Sequence, residues 1–233
     1  MVDVIARQGT VNAKAVSAAP WAVSSRKYAV EAIGTFFLVF TVAVSGLTHS
    51  VFTPLAAGAV LMVMIYAGGH ISGGHYNPAV TMAALVRRRI GIADAAGYWV
   101  AQLAAGAVAA VVAHAVVDPA AVTALHPSGH ALTAAAVVEL LFTFALCYVV
   151  LNVATSKDQP VNSYYGLAIG FTVAAGAFAI GGISGGMFNP AVALGTATAG
   201  LFAWQTLWIY LVVQLVAGAL AGHAFLALNP DDK

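Results

Sequence analysis

Charged side chains are scarce in this chain of 233 residues, where only 7% of residues are Asp, Glu, Lys or Arg, against roughly 25% in soluble domains. Residues 32–86 and residues 159–230 contain none of them. As an α-helix the second stretch would run on the order of 100 Å, whereas the hydrocarbon core of a bilayer is about 30 Å thick. The chain must therefore cross a membrane repeatedly, which excludes a soluble globular domain. The lack of charge also excludes a disordered chain and a nucleic-acid-binding protein.

Cysteine is almost absent, since Cys147 is the only one. A single Cys cannot form an intramolecular disulfide and matches no metal-binding pattern, so we interpret Cys147 as a small residue in a helix core. His70 and His75 lack further ligands nearby in sequence, and no HExxH motif or Ser/His/Asp set is present. We therefore expect no metal, no cofactor and no enzymatic activity.

Six long apolar runs are each long enough to span a bilayer. They lie at approximately 28–47, 52–71, 93–117, 131–153, 163–182 and 203–227. Two further apolar segments, near 73–86 and 185–198, are too short to cross, and a segment that enters and returns on the same side is the simplest interpretation. Residues 1–25 show no clear period and predict a mostly disordered N-terminal arm.

The basic residues give the orientation of these spans. Six spans place both termini on one side, and all nine Lys and Arg residues then fall on that side. They lie before the first span, between the second and third, between the fourth and fifth, and at the end of the chain. Because positive charge accumulates on the cytoplasmic side, we expect both termini in the cytoplasm, with the protein in a plasma or inner membrane.

The chain contains an internal repeat. The ten residues from Ile71 and the ten from Ile183 differ at only two positions: ISGGHYNPAV and ISGGMFNPAV. The same spacing of 112 residues pairs further residues, namely Tyr98 with Tyr210, Gln102 with Gln214 and Gly106 with Gly218. Each half contains three spans, an odd number, so the second half enters the membrane from the opposite side. The sequence thus predicts an inverted repeat, in which the functional site lies at the midplane.

Each copy of the repeat contains a signal for the start of a helix, Asn77-Pro78-Ala79 in one and Asn189-Pro190-Ala191 in the other. Asn is a favoured N-cap and Pro a favoured first helical residue. We therefore predict short helices over about 78–86 and 190–198. By the inversion, their N-termini face each other near the centre of the bilayer.

Two facing helix N-termini have electrostatic consequences. Each carries roughly half a positive charge, so together they oppose the passage of protons and cations. Each Asn can cap its helix with its carbonyl and direct its NH2 into a lumen. We expect the preceding extended segments to supply backbone carbonyls as acceptors, at Gly73, Gly74, His75, Gly185 and Met187. This combination suits a passive pore for small neutral polar solutes.

The two Asn-Pro-Ala boxes and the stretch from Gly69 to Thr81 resemble the major intrinsic protein family, the aquaporins and aquaglyceroporins. The resemblance covers about residues 28–227, a channel domain with repeat one at about 28–117 and repeat two at about 131–227. It implies an all-α membrane protein with six transmembrane helices and two re-entrant half-helices, the aquaporin-like fold. It also implies a homotetramer with one pore per subunit, in contact with the lipid bilayer, small neutral solutes and water.

Members of that family usually have a constriction of aromatic residues and Arg at four positions. Counted from the two Asn residues, the resemblance assigns these positions to Ala57, Ala177, Gly186 and Val192. The loss of two rings widens the mouth, and the loss of Arg removes five hydrogen-bond donors and a fixed charge. We predict a wide, low-selectivity pore for glycerol, urea, arsenous or boric acid, methylated arsenicals and some water.

Three other classes stay open beside this prediction. They are a water-selective aquaporin, a membrane junction or scaffold protein with little flux, and an ion-coupled transporter, which would need a titratable group in the lumen. Glu31 and Glu139 are the only acids inside the predicted spans. An acid at that depth needs partners, and we predict that both are structural braces for the re-entrant segments. The alternative is that they form a proton pathway.

Overall fold

The structure is a computed structural model that describes residues 20–117, 122–160 and 162–232. These residues form eight α-helices, namely α1 Pro20–Leu47, α2 Thr53–Ser72, α3 Pro78–Val86, α4 Ile92–Val116, α5 Gly129–Thr155, α6 Tyr165–Ser184, α7 Pro190–Thr198 and α8 Trp204–Leu228. Among them, six are long and apolar enough to cross a membrane. The predicted all-α fold with six spanning helices and two short ones is confirmed.

The structure shortens the predicted N-terminal arm. Residues 1–19 of that arm lie outside the described residues, but residues 20–25 already belong to α1. Pro is well tolerated in the first helical turn, where its missing N–H has no intrahelical partner to lose. The helix therefore begins at Pro20, several residues before the apolar run that marked the predicted span.

The short helices α3 and α7 have nine residues each, or about 14 Å of helix, roughly half of a bilayer core. Each follows a spanning helix that ends at a left-handed glycine, Gly73 with φ 90° and Gly185 with φ 91°. Glycine adopts this conformation at no steric penalty. Both repeats thus turn sharply into an extended segment before the half-helix begins.

Each half-helix packs against a spanning helix of the other repeat, α3 against α8 and α7 against α4. A Cβ at Gly106 of α4 would lie 2.9 Å from the carbonyl oxygen of Ala191, and a Cβ at Gly218 of α8 would lie closer still to that of Ala79. Small residues allow this backbone approach between helices. The two repeats are therefore interlocked rather than side by side.

The described basic residues at the helix ends gather on one face of the molecule. Lys27 Nζ lies 3.2 Å from Asp94 Oδ2, and Arg89 donates to the carbonyl of Thr155 at 2.9 Å. Lys27, Arg89 and Lys157 also line one shared cavity. We call the side at which α1 begins and α8 ends the basic face, and the side at which α2 begins the opposite face.

Candidate pore

The two Asn-Pro-Ala boxes meet in the interior of the molecule. Asn77 Oδ1 accepts from Ala79 N at 2.8 Å, and Asn189 Oδ1 accepts from Ala191 N at 2.9 Å, so each Asn caps its own half-helix. Each side-chain NH2 also donates across the repeat boundary at 2.9 Å, from Asn77 to the carbonyl of Phe188 and from Asn189 to the carbonyl of Tyr76. Because an amide NH2 has two hydrogens, one of them stays available for a solute in the lumen.

The reciprocal bonds depend on an unusual backbone conformation. Tyr76 and Phe188, the residues immediately before the two Asn, have φ values of 47° and 50°. Left-handed backbone is uncommon for bulky residues and persists only where surrounding contacts hold it. Here it turns each carbonyl toward the Asn of the other repeat. The sequence gives no direct signal for this, because only spatial neighbours reveal it.

Two buried carboxylates hold the extended segments that precede the half-helices. Glu31 accepts from the backbone N–H of His75 at 2.9 Å and of Tyr76 at 2.6 Å. Glu139 accepts from the equivalent groups of Met187 at 2.9 Å and Phe188 at 2.8 Å. Hydrogen bonds to a charged acceptor are the strong ones, and here they satisfy N–H groups that no regular structure pairs. These contacts are the ones expected of a brace.

A second set of polar groups completes each brace. Ser72 and Gln102 donate to Glu31 at 2.7 and 2.8 Å. In the other repeat Ser184 and Gln214 donate to Glu139 at 2.7 and 2.9 Å. The hydroxyls of Tyr98 and Tyr210 bond the carbonyls of the same serines. The pairs that the sequence repeat predicted therefore occupy equivalent places around the two carboxylates.

A cavity of about 240 Å³ lies in the interior between the opposite face and the basic face. It begins at Thr53 and Pro54, passes both Asn side chains and ends at His75 and Val150. Its wall is mostly aliphatic, with side chains of Leu61, Val80, Leu146, Ile169 and Val173 among others. Among the described residues, its lining contains no Asp, Glu, Lys or Arg. The shape and chemistry are those of an apolar channel with a few polar groups at mid-depth.

The structure gathers most of the predicted pore residues around this cavity. The four predicted constriction positions all line it, as do Asn77, Asn189, Gly74, His75, Gly185 and Met187. Gly73 instead lines the neighbouring cavity at the basic face. Pro78, Ala79, Pro190 and Ala191 are buried in the first turns of α3 and α7. Glu31 and Glu139 do not line the cavity but lie behind its wall.

Sequence reasoning missed the anchor at the end of α3. Arg87 is buried, its guanidinium lies 2.6 Å from Asp232 and its CZ atom lies 4.4 Å from the centroid of the Phe225 ring. Asp232 also accepts from the backbone N–H of Lys157 at 2.8 Å. Burial raises the pKa of Asp232, but the bonds from Lys157 and Ser156 and the charge of Arg87 outweigh it and hold that pKa below its ordinary value.

Comparison with known proteins agrees with this architecture. The profile of the family described as Major intrinsic protein matches residues 18–225. The glycerol uptake facilitator protein-like 6 of Lactiplantibacillus plantarum is 39% identical over 221 residues, which cover 89% of this chain and all of that relative. The aquaporin NIP2-1 of Oryza sativa is 39% identical over 89% of this chain and 72% of its own length.

A solved structure shows the same fold. The aquaglyceroporin of Plasmodium falciparum superposes with a TM-score of 0.73 at 22% identity, over 87% of this chain and 95% of that one. This likeness and the arrangement of six spanning helices with two interlocked half-helices identify the fold. The match to the family profile identifies the activity, which is passive transport through a membrane channel. The chain belongs to the major intrinsic protein family, whose members are passive membrane channels and not enzymes.

Proposed function

We propose that this protein is a wide, low-selectivity channel for small neutral polar solutes, with glycerol, urea, arsenous and boric acid, methylated arsenicals and some water as candidates. One observation carries the proposal. One cavity is lined by all four positions Ala57, Ala177, Gly186 and Val192, by Thr53 and Pro54 at the opposite face, and by the two Asn side chains. Valine is the largest side chain among the four, so none of these positions places an aromatic ring or a guanidinium in the cavity.

The lining favours neutral solutes over ions. A charge transferred from water into an aliphatic channel loses its hydration, which costs far more than the transfer of a hydroxyl or amide group. The N-termini of α3 and α7 add positive potential at the two Asn residues, which opposes cations. A neutral solute can replace part of its hydration with the free amide hydrogens of Asn77 and Asn189 and with nearby carbonyls.

The relatives support this class of solute without naming the physiological one. One relative is named as a glycerol uptake facilitator-like protein and others as aquaporins. Those names concern neutral solutes and water, which the lining of this cavity accommodates. The apolar rim at Val192 makes partly methylated solutes better suited to this pore than to one with an Arg at that position.

The membrane arrangement follows from the charge distribution and the outer surface. We place the basic face in the cytoplasm with both termini, because basic residues accumulate on that side. Large apolar side chains such as Phe171, Phe178 and Trp208 are exposed on the outer surface, where lipid or a neighbouring subunit can cover them. A homotetramer in a plasma or inner membrane, with one pore per subunit, is consistent with that surface.

The decisive experiment measures solute flux in proteoliposomes by light scattering after an osmotic step. The protein should pass glycerol and urea, and Val192→Arg should reduce both because the new guanidinium fills the rim and adds fixed charge. Val192→Leu is the matched control, since it adds bulk without charge and should have a much smaller effect. Ala57→Phe provides a second, uncharged way to narrow the same end.

The result can also go against the proposal. If the unmodified channel passes water but excludes glycerol, urea and arsenite, it is a water-selective channel. If it passes no tested solute while tetramers adhere across bilayers, it is a junction protein. Flux that is unchanged by both Val192→Arg and Ala57→Phe would show that these positions do not form the rim.

A further inference from the structure

The central cavity ends toward the basic face at a small set of residues. Beyond it lies a second cavity, lined by Lys27, Arg89 and Lys157 among others. The two cavities share only two lining residues, His75 and Val150. A third cavity on the same side shares Ile65, Gly74, Val150 and Ile169 with the central one. Val150 is the lining residue common to all three cavities, so it stands where the central cavity adjoins the two on the basic face.

We propose that the solute-selecting neck of this channel is formed by His75, Val150, Ile65 and Ile169 at its basic-face end, and not by the four positions that this chain fills with Ala, Ala, Gly and Val. The inference rests on the proposed function, because it assumes that solutes pass through the central cavity. The proposal places the limit on solute size at Ile65 on α2, Val150 on α5 and Ile169 on α6, together with His75 in the segment before α3.

The neck is built from stiff side chains. Val150, Ile65 and Ile169 are β-branched, and such residues have one strongly preferred χ1 rotamer in a helix. The three are buried and pack within the main core. They cannot swing aside for a passing solute as a long flexible side chain can. At the other end of the cavity Ala57, Ala177 and Gly186 have no rotatable side chain to narrow the path.

The imidazole of His75 is also fixed. Its backbone N–H is held by Glu31, its Nδ1 lies 3.0 Å from Thr81 Oγ1, and its ring contacts the Tyr98 ring edge-on with 5.1 Å between centroids. Because Nδ1 is engaged, Nε2 is the nitrogen left for a solute in either tautomer. A Cβ at Gly73 would lie 3.3 Å from Nε2, and Gly73 lines the basic-face cavity, so Nε2 lies on that side of the neck.

The composition of the neck defines the solute it favours. One hydrogen-bonding nitrogen lies at the basic-face side of three aliphatic side chains, so a solute with one polar edge and one apolar edge can contact all four. A solute that is polar on every side must lose hydration against the aliphatic wall. The neck therefore selects compact solutes by cross-section, and among those of equal size it favours the less polar.

The test compares two equivalent truncations. Val150→Ala removes two methyl groups from the neck, and Val173→Ala removes the same two from the wall of the central cavity on α6. The two valines are buried to a similar extent, with exposed fractions of 9% and 8%. Permeability to urea, glycerol and erythritol is measured in proteoliposomes of matched protein content for both variants and the unmodified channel.

Val150→Ala should raise the ratio of erythritol to glycerol permeability several-fold, while Val173→Ala should leave it unchanged. Val150→Phe, which narrows the neck, should reduce glycerol flux more than water flux. An unchanged ratio in Val150→Ala, or an equal rise in Val173→Ala, overturns the proposal.

These outcomes are distinguishable from failure of the proposed function. An unmodified channel that excludes glycerol, together with a Val150→Ala variant that admits it, would support the neck and refute the low-selectivity function. An unmodified channel that passes the whole series, with no response to any change at Val150, would refute the neck and leave the proposed function standing.

Discussion

Repeat one and repeat two hold the segments that lead into their half-helices with equivalent contacts. In each, a buried Glu accepts two backbone N–H bonds, one Ser hydroxyl and one Gln amide, over distances from 2.6 to 2.9 Å. In each, an Asn caps its own half-helix and donates to the other repeat at 2.9 Å. The framework is thus symmetric to within a few tenths of an ångström.

Three of the differences between the repeats, at positions related by the same offset of 112 residues, change contacts around the half-helices. His75 corresponds to Met187, Thr81 to Ala193, and Arg87 to Ala199. Thr81 Oγ1 accepts from Gln102 Nε2 at 3.0 Å and lies 3.5 Å from Gln102 Oε1, to which it can donate. The equivalent Gln214 has a buried Oε1 with no partner among the described residues. Arg87 anchors the end of α3 by an ion pair, whereas Ala199 packs at the end of α7 in a small apolar cluster.

This comparison shows which contacts must be the same in both repeats and which side chains can differ. Contacts that support the backbone have to satisfy the same N–H groups in both halves, so the same side chains serve in both places. Side chains beside the lumen or at the outer ends of the half-helices meet different surroundings at the two faces. They can therefore differ without disturbing the frame, and the two ends of the pore acquire different chemistry.

The largest effect should follow removal of either brace. Glu31→Leu and Glu139→Leu each leave four donors without their acceptor, at about 1–3 kcal/mol for each unsatisfied group. We expect both variants to fail to yield folded protein, measured as loss of a monodisperse peak in detergent and of a thermal transition. A matched control is available one turn along each helix, in Thr35→Val and Thr143→Val. Those hydroxyls are buried without a partner among the described residues, so the controls should fold normally.

If only one of the two Glu→Leu variants failed to fold, the two braces would have the same geometry but would contribute unequally to stability. A variant Glu139→Gln that folds and abolishes a proton-coupled flux would contradict the brace and favour the proton pathway.

A smaller effect should follow from filling the two interlocking contacts. Gly106→Ala and Gly218→Ala each place a methyl group against a backbone carbonyl, and overpacking of this kind typically costs about 1–3 kcal/mol. Gly218→Ala should be the worse of the two because the carbonyl of Ala79 lies closer. Thermal unfolding in detergent gives the ranking. Gly182→Ala is the control because, its own helical turn and chain neighbours aside, no atom of the described residues lies within 4 Å of its Cβ position. The reverse ranking would mean that α3 can move away from α8 more easily than α7 from α4.

The ion pair between Arg87 and Asp232 anchors the end of α3, and α7 has no equivalent ion pair among the described residues. Asp232→Asn removes the charge that faces Arg87 and should lower the melting temperature by several degrees at neutral pH. The folded state lowers the pKa of Asp232, so this stabilisation is fully present above the ordinary carboxyl pKa and is lost as pH falls through the folded value. The difference between the two proteins should therefore shrink as the pH is lowered below about 4. A difference that is independent of pH would contradict a role for the charge.

The smallest effect should come from restoring the symmetry at Gln214. Ala193→Ser places a hydroxyl where repeat one has that of Thr81 and can donate to the free Oε1, with a net gain of about 0.5–1.5 kcal/mol. Ala197→Ser, at another buried position of α7, is the control and should give no comparable gain. A variant Ala193→Ser with no rise in melting temperature would show that the orphaned oxygen is satisfied in another way.

Much of the frame was predictable from sequence because its signals are local. Asn followed by Pro marks the start of a helix wherever it stands, and both half-helices begin at the predicted residues, Pro78 and Pro190. The repeat offset also paired Gln102 with Gln214 before any contact was known. The start of α1 was not predictable in this way, because a helix can extend past its apolar run at little penalty.

The lumen was only partly predictable. The resemblance to the family assigned four constriction positions, and all four line the cavity. Val150 and Ile169 carry no signal in the sequence, because a helix in a bilayer is apolar on its lipid side and on its packed side alike. The reciprocal bonds between Asn77 and Phe188 and between Asn189 and Tyr76 join residues more than a hundred positions apart. No local pattern reports on such pairs.

The sequence by itself determined that the chain crosses a membrane six times, that its halves are inverted copies and where the half-helices begin. It could do so because hydrophobic length, charge placement and helix capping act on neighbouring residues. The tertiary structure decided which aliphatic side chains line the pore, that the braces lie behind the wall, and that the central cavity and the cavity at the basic face share His75 and Val150. These depend on distances between helices, which are set by packing and not by any single segment.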